Sequence, residues 1–208
     1  MVGALPVCLA LAIIISCIFS HIMDALYQKN GDILSFPAEI SARKKYRRII
    51  IAAFLFGALI IMGDAADFVS LLRAVIVVAF MAAVVCMDFE QQVIFDRLTF
   101  PFELLAVPFF ACDAPSVGDK IWAAIAGGGL FLAFAVITKG GIGGGDIKLL
   151  AALGLWLGSD KLMFVAVTGM ILAGIVAVGL IVFRRQKLRE FMAYGPYFAV
   201  AAMWGSMY

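Results

Sequence analysis

The sequence predicts an all-α fold, a polytopic integral membrane helical bundle with about eight transmembrane helices. Of its 208 residues, 65% are hydrophobic and 14% are charged, and the mean hydropathy is +1.09. Soluble domains are about 45–50% apolar, so a chain this apolar cannot bury its side chains in one water-soluble core. The apolar residues also fall into separate runs, several of them long enough to cross a bilayer.

Eight apolar runs predict the spans, and the charged residues between them predict the orientation. In chain order, the runs cover residues 3–23, 49–63, 67–87, 97–113, 119–138, 146–158, 161–183 and 193–207. Most basic residues lie in the first, third, fifth and seventh connections, whereas acidic residues dominate the other connections. The positive-inside rule therefore places the basic connections in the cytoplasm and both termini outside it.

The whole chain, residues 1–208, is predicted to form one membrane-embedded domain. Residues 24–48 form its sizeable cytoplasmic loop, which is too short to fold as a domain, and residues 66–208 form the core that carries the motifs below. The basic cluster 43–48 in the loop is interpreted as an anchor to lipid headgroups. The first apolar run lacks a basic start and a small-residue cleavage site, which favours a retained span over a signal peptide.

Composition argues against several kinds of partner and site. The net charge of +2, without a basic and aromatic groove, argues against nucleic acid. The four cysteines lie in apolar runs without a C-x-x-C pair, which predicts small core residues rather than zinc ligands or disulfides. Because the chain also has one histidine, we expect neither a metal site nor a cofactor.

Two acidic segments are predicted to meet at the same membrane face. The glycine-rich stretch 139–148 carries Asp146, and the segment Asp88–Asp96 follows the third apolar run. A carboxylate at a membrane span usually marks a functional site, because a charge at the bilayer centre costs about 2.5–3.5 kcal/mol. The alternative for the first segment is a flexible loop in which Asp146 is the N-cap of the next helix.

A pair of aspartates can hydrolyse an amide without a serine–histidine pair or a reactive thiol. When two carboxylates share a proton, one accepts a proton from water while the other polarises the carbonyl, and no covalent intermediate forms. The titration then belongs to the pair. Glycines beside Asp146 would let a substrate backbone approach, and apolar walls would favour retention of one proton.

Three segments resemble the bacterial prepilin peptidases, the type IV leader peptidase family of G-x-G-D membrane aspartic proteases. Residues 88–101 resemble the first active-site segment, although Phe95 stands where proline is usual. Residues 141–158 resemble the second segment and contain the G-x-G-D run, and residues 194–197 resemble the family's F-G-P-(Y/F) segment. The segments occur in the family's order, and the resemblance covers roughly residues 66–208.

The resemblance implies a membrane-embedded aspartic endopeptidase with Asp88 and Asp146 as its catalytic pair. Its partners would be membrane lipids and pilin-like precursors, namely type IV prepilins or pseudopilins. The enzyme would remove their short basic leader at the cytoplasmic face of the inner membrane. The other positions that match the motifs are expected to bind substrate or support the site: Asp96, Gly143, Gly145, Lys148, Gly195 and Pro196.

The first cytoplasmic loop departs from the pattern of the larger bacterial members. Those proteins carry two C-x-x-C pairs in this loop and also methylate the new N-terminus of the substrate. Residues 24–48 contain no cysteine. The comparison with the family therefore implies cleavage without a zinc subdomain and argues against methylation with S-adenosylmethionine.

Two other functions also use carboxylates within the membrane. A proton- or ion-coupled transporter often has repeated halves and a midplane site, whereas this sequence shows no repeat and places both acidic segments at one interface. A metal-dependent lipid-modifying enzyme would bind Mg²⁺ and phosphate through further carboxylates, a pattern that the sequence lacks. The sequence thus favours the peptidase, with the transporter as the alternative.

Overall fold

A computed structural model describes residues 5–62, 67–112, 116–139, 143–183 and 194–207. Within these ranges every regular element is a helix, which confirms the predicted all-α membrane bundle. The α-helices are α1 (Leu5–Lys29), α2 (Ile40–Arg43), α3 (Arg47–Met62), α4 (Phe68–Gln91), α5 (Asp96–Ala106), α6 (Val117–Ile137), α7 (Gly144–Val182) and α8 (Gly195–Met207).

Four of the described helices are long and apolar enough to cross a membrane, so the predicted count of eight spans is not confirmed. The four are α1, α4, α6 and the part of α7 from Gly144 to Gly179. Helices α3, α5 and α8 have 16, 11 and 13 residues, fewer than the roughly 20 that cross the hydrocarbon core. The sixth and seventh predicted spans share α7, which is interrupted at Gly158 (φ 75°, ψ 179°), a conformation that favours glycine.

Some sequence predictions fall on residues outside the described ranges. These include Gly141 of the glycine-rich stretch and the basic residues of the seventh connection. The orientation in the membrane, which depends partly on those basic residues, stays a prediction.

Two groups of helices pack against α4 from different sides. On one side, α1 packs on α3 and α3 packs on α4; on the other, α6 packs on α7, α7 on α8 and α8 on α4. Helices α6 and α7 approach closely at Gly154. A side chain at this position would overlap the backbone of Ala123 and Ala124. Small residues permit such close contact between membrane helices. Helix α4 therefore lies between the N-terminal helices and the C-terminal ones.

An aromatic stack connects α4, α5 and α7. The ring of Phe102 lies 4.8 Å from that of Phe80 and 5.1 Å from that of Trp156, measured between centroids. Trp156 also donates its indole N–H to the carbonyl of Phe102 at 2.8 Å. The polar atom of this large buried side chain is thus satisfied, and the stack fixes α5 against the helices that carry the two acidic segments.

Two predictions about individual side chains need correction. The basic cluster 43–48 is not a single surface anchor, because Arg47 is buried with 1% of its surface exposed. The anchor role stays a prediction for the exposed Lys45 and Arg48. Among the cysteines, Cys86 is buried as predicted, whereas Cys17 is exposed on α1 and is not a core residue.

Candidate active site

Asp88 lies in the last turn of α4, where the apolar helix ends. The residue is buried, with 6% of its surface exposed. Gln92 ends the helix in the left-handed conformation (φ 54°, ψ 34°), and its N–H donates to the Asp88 carbonyl at 3.0 Å. The Asp88 carboxylate therefore projects from a helix end whose backbone still makes helical hydrogen bonds.

Asp146 occupies the first turn of α7 and is also buried, with 8% of its surface exposed. The carbonyl of Gly143 accepts the N–H groups of Asp146 at 3.1 Å and of Ile147 at 3.3 Å. A backbone hydrogen bond from Gly143 in turn reaches the Asp146 carboxylate. Asp146 is thus the third residue of α7, and Gly143 is the residue that precedes the helix. The alternative in which Asp146 is itself the N-cap is therefore wrong.

The two carboxylates face a common space beside Gly195, the first residue of α8. A Cβ atom on Gly195 would lie 2.9 Å from Asp88 Oδ2 and 3.3 Å from Asp146 Oδ1. The two oxygens are therefore separated by no more than the sum of these distances. Buried carboxylates this close repel each other when both are charged, which favours a single shared proton.

Two helix N-termini surround this carboxylate pair. Helix α7 begins next to Asp146, and α8 begins at Gly195, where a Cβ atom would lie 2.9 Å from Asp88 Oδ2. The first N–H groups of a helix lack partners within the helix and carry partial positive charge. They stabilise negative charge on the pair and offset the unfavourable position of Asp88 at the C-terminus of α4.

Ile94 closes one side of the site, and two glycines allow its close approach. A Cβ atom on Gly145 would lie 3.0 Å from Ile94 Cβ, and one on Gly195 would lie 3.2 Å from Ile94 Cδ1. The segment that follows α4 can therefore contact both α7 and α8. Pro196 is buried at the second position of α8, where the N–H that proline lacks would have no partner within the helix.

Asp96 and Lys148 form a separate ion pair at the surface. Lys148 Nζ donates to both Asp96 carboxylate oxygens at 2.7 Å. The Lys148 and Asp96 side chains are 54% and 68% exposed. The pair joins the first turn of α5 to α7, and Asp96 does not share the buried space of Asp88 and Asp146.

The buried space combines carboxylate oxygens with an open hydrogen-bonding position. Asp88 Oδ2 has no hydrogen-bond partner among the described residues. In the same part of the chain, no group of three or more His, Cys, Asp and Glu side chains could hold a metal ion. A water molecule could donate to Asp88 Oδ2, and a substrate carbonyl could accept from it when Oδ2 carries the shared proton, so the arrangement can perform acid–base chemistry with two carboxylates.

Sequence reasoning missed a second carboxylate on the same turn of α4. Glu90 is buried with 4% of its surface exposed and is bound by Arg47 and Tyr27. One signal was available, because an acidic residue in an apolar helix needs a partner within the protein. The identity of that partner, 43 residues earlier in the chain, could not be predicted from spacing.

Comparison with known proteins identifies relatives of this chain. A sequence model of the type IV leader peptidase family matches residues 75–178, which include Asp88 and Asp146. A prepilin leader peptidase/N-methyltransferase from Aeromonas hydrophila is 33% identical over 144 residues, covering 64% of this chain and 50% of the relative. A leader peptidase, HopD, from Escherichia coli is 33% identical over 135 residues, covering 58% of this chain and 84% of the relative.

A third relative is a prepilin leader peptidase/N-methyltransferase from Neisseria gonorrhoeae. It is 36% identical over 138 residues, covering 62% of this chain and 46% of the relative. The chain thus spans about half the length of the relatives that carry the double name. No solved structure matches the chain.

Proposed function

The chain belongs to the type IV leader peptidase family, and on that premise we propose that it is a membrane-embedded aspartic endopeptidase. Its substrates are type IV prepilins or related pseudopilins. It removes their short basic leader at the cytoplasmic face of the inner membrane. Asp88 and Asp146 form its catalytic pair.

One observation supports this assignment most directly, namely the convergence of two buried carboxylates at Gly195. Each comes from a different helix end, and each lies in a segment that resembles an active-site motif. A structural role would be fulfilled by pairing each carboxylate with a cation. Instead, Asp88 Oδ2 lacks a hydrogen-bond partner among the described residues, as expected for a group that acts on a bound molecule.

In the proposed mechanism, the two carboxylates hold one proton between them. The charged member accepts a proton from a water molecule as the water oxygen attacks the scissile carbonyl carbon. The protonated member donates a hydrogen bond to the carbonyl oxygen and then supplies the proton that the departing amine needs. The side-chain-free surface of Gly195 leaves room for the substrate backbone, because a Cβ there would occupy the space between the carboxylates.

The decisive test is co-expression of this protein with a candidate pilin precursor, followed by a gel-shift assay for leader removal. The wild-type protein is expected to convert the precursor to the shorter form, and the Asp146→Asn variant is expected to leave it intact. If the precursor stays uncut while the protein supports a gradient-dependent ion flux, the ion-coupled transporter would replace the peptidase.

We further propose that this enzyme cleaves without methylating the new N-terminus. Relatives of about twice the aligned length are named for both activities, whereas residues 24–48 of this chain contain no cysteine. Mass spectrometry of the mature substrate made with this enzyme alone is expected to show a free N-terminal amine. A mass increase of about 14 Da confined to the first residue, the size of one methyl substitution, would contradict the proposal.

A further inference from the structure

A buried ion pair between Glu90 and Arg47 lies behind the candidate active site. Arg47 Nε donates to Glu90 Oε1 at 2.8 Å and to Oε2 at 3.1 Å, and Arg47 Nη2 also donates to Oε2. The Arg47 side chain has 0% and the Glu90 side chain 5% of its surface exposed. The contact is therefore a buried bidentate ion pair between α3 and α4. Bidentate pairing is the geometry that Arg favours with a carboxylate.

Further hydrogen bonds satisfy the remaining polar atoms of this pair. Tyr27 donates its hydroxyl to Glu90 Oε2 at 3.0 Å. Arg47 Nη1 donates to Asp24 Oδ1 at 2.8 Å and to the Ser20 carbonyl at 3.1 Å. Burial of two charges is costly, and it is offset only where geometry and added hydrogen bonds are favourable. Three residues of α1 thus complete the pair that joins α3 to α4.

The Glu90–Arg47 ion pair contacts the same turn of α4 that carries Asp88, on the opposite face of the helix. Successive helical residues are rotated by about 100°, so Glu90 points about 200° away from Asp88. The last turn of a helix is the part that frays most readily, because its carbonyl groups lack partners in the helix. Here the helix ends at Gln91, so without external contacts the Asp88 side chain would lie on a loose turn.

Two contacts from the first loop hold the same turn. The side chain of Gln91 donates to the Phe36 carbonyl at 3.2 Å and accepts the Phe36 N–H at 2.9 Å. Arg43 Nη1 donates to the carbonyl of Phe89 at 3.3 Å, at the C-terminal end of α4. The three residues that follow Asp88, namely Phe89, Glu90 and Gln91, are therefore each held by a specific partner, and the buried charge pair is the strongest of these contacts.

We propose that Glu90 and Arg47 are positioning residues for the peptidase reaction, which fix the last turn of α4 so that the Asp88 carboxylate faces Asp146. The inference rests on the proposed function. Neither residue touches the substrate; they act through the backbone of α4. The segment from Ser20 to Arg47 thereby gains a role in catalysis, although the matched family segment begins only at residue 75.

The test compares Glu90→Gln with a control that loosens a distant contact. Gln keeps the shape of Glu but removes the charge, so the turn is expected to loosen while the substrate site stays intact. We expect kcat to fall by about 10- to 100-fold, the loss that a misplacement of about 1 Å produces, with KM changed by less than about twofold. Tyr27→Phe, which removes one hydrogen bond to Glu90, is expected to lower kcat in the same direction but less.

The control is Asp119→Asn, which disturbs the α6–α7 contact far from the site. Asp119 accepts the backbone N–H of Ser159 at 3.0 Å and also the Ser159 hydroxyl, about 20 Å along α7 from Asp146 at 1.5 Å per residue. Even where Asp119→Asn loses as much thermal stability as Glu90→Gln, it is expected to keep the wild-type kcat. If Glu90→Gln keeps the wild-type kcat, or loses no more than the control at equal stability, the positioning role is refuted.

A second readout separates this inference from the proposed function. Hydrogen exchange of the Phe89–Gln92 amides, measured by mass spectrometry, is expected to become faster in Glu90→Gln and to stay unchanged in Asp119→Asn. A wild-type protein that cuts no precursor would refute the peptidase, and unchanged exchange in Glu90→Gln would refute the positioning role. If Glu90→Gln fails to accumulate, Tyr27→Phe carries both measurements, and its failure to alter either one would overturn the proposal.

Discussion

The last turn of α4 presents two carboxylates with opposite environments. Glu90 faces α1 and α3, where Arg47 and Tyr27 donate to both of its oxygens. Asp88 faces α7 and α8, where its Oδ2 atom has no hydrogen-bond partner among the described residues. Both residues are buried, at 4% and 6% exposure, so burial alone does not distinguish them.

The difference between these two faces indicates which carboxylate acts on substrate. A buried acceptor without a partner costs about 1–3 kcal/mol, and more when it is charged. A fully paired carboxylate avoids that cost but has no free position at which to bind water or a carbonyl. We infer that Glu90 holds the turn and that Asp88, with Asp146 across the space at Gly195, performs the chemistry.

The largest effect is expected from removing either member of the carboxylate pair. Asp88→Asn and Asp146→Asn should each lower leader cleavage by at least about 1,000-fold, because an amide neither accepts the proton from water nor supplies one to the departing amine. The measurement is the gel-shift assay with a pilin precursor. Near-normal processing by Asp146→Asn would show that Asp88 acts without this partner and would end the proposed mechanism.

Thermal stability provides a control for these substitutions, because Asp88→Asn and Glu90→Gln are expected to change it differently. Asp88→Asn removes a buried charge with a repulsive neighbour, so the thermal unfolding midpoint should not fall. Glu90→Gln breaks a buried ion pair and leaves Arg47 partly unpaired, so the midpoint should fall. Equal losses in both variants would mean that the two faces of α4 do not differ in the way described.

A smaller effect is expected from filling the space between the carboxylates. The Cβ atom of Gly195→Ala would lie 2.9 Å from Asp88 Oδ2, which forces the carboxylate or the start of α8 to move. We expect the kcat for leader removal to fall by about 10- to 100-fold. Gly205→Ala, in the same helix, is the matched control, because its Cβ would make ordinary contacts of 3.5 Å or more with Val165 and Phe164. Wild-type kinetics in Gly195→Ala would show that the space beside Gly195 is not the reaction site.

The sequence could predict that the residues on the Asp88 side of α4 come together. Asp88 and Asp146 each stand where an apolar run meets a polar segment, and the alternating charge of the connections predicts that both lie at one membrane face. The motif resemblance added Gly195. The structure brings these three residues together. The sequence could not predict how they are arranged, namely that the start of α8 lies beside both carboxylates.

The contacts on the Glu90 side of α4 could not be predicted, because they join side chains that are far apart in the chain. Arg47 lies in a basic cluster at the edge of an apolar run, a position that a lipid-headgroup anchor and a buried partner occupy equally well. The predicted count of eight spans is not confirmed for a related reason. Helices α3 and α8 are as apolar as the longer helices but have only 16 and 13 residues, and sequence alone does not show where each helix ends.

The smallest effect is expected at Asp96, a third carboxylate that belongs to neither face. Its ion pair with Lys148 is exposed on both sides, and exposed pairs contribute about 0–1 kcal/mol. Asp96→Asn should therefore retain cleavage within about fivefold of the wild-type rate, since 1 kcal/mol corresponds to roughly that factor. Lys148→Met, which breaks the same pair from its other end, is the matched control and should behave alike. Complete loss of cleavage in a folded Asp96→Asn protein would place Asp96 in the catalytic pair and demote Asp88, because the surface contact that the two variants share is too weak to account for it.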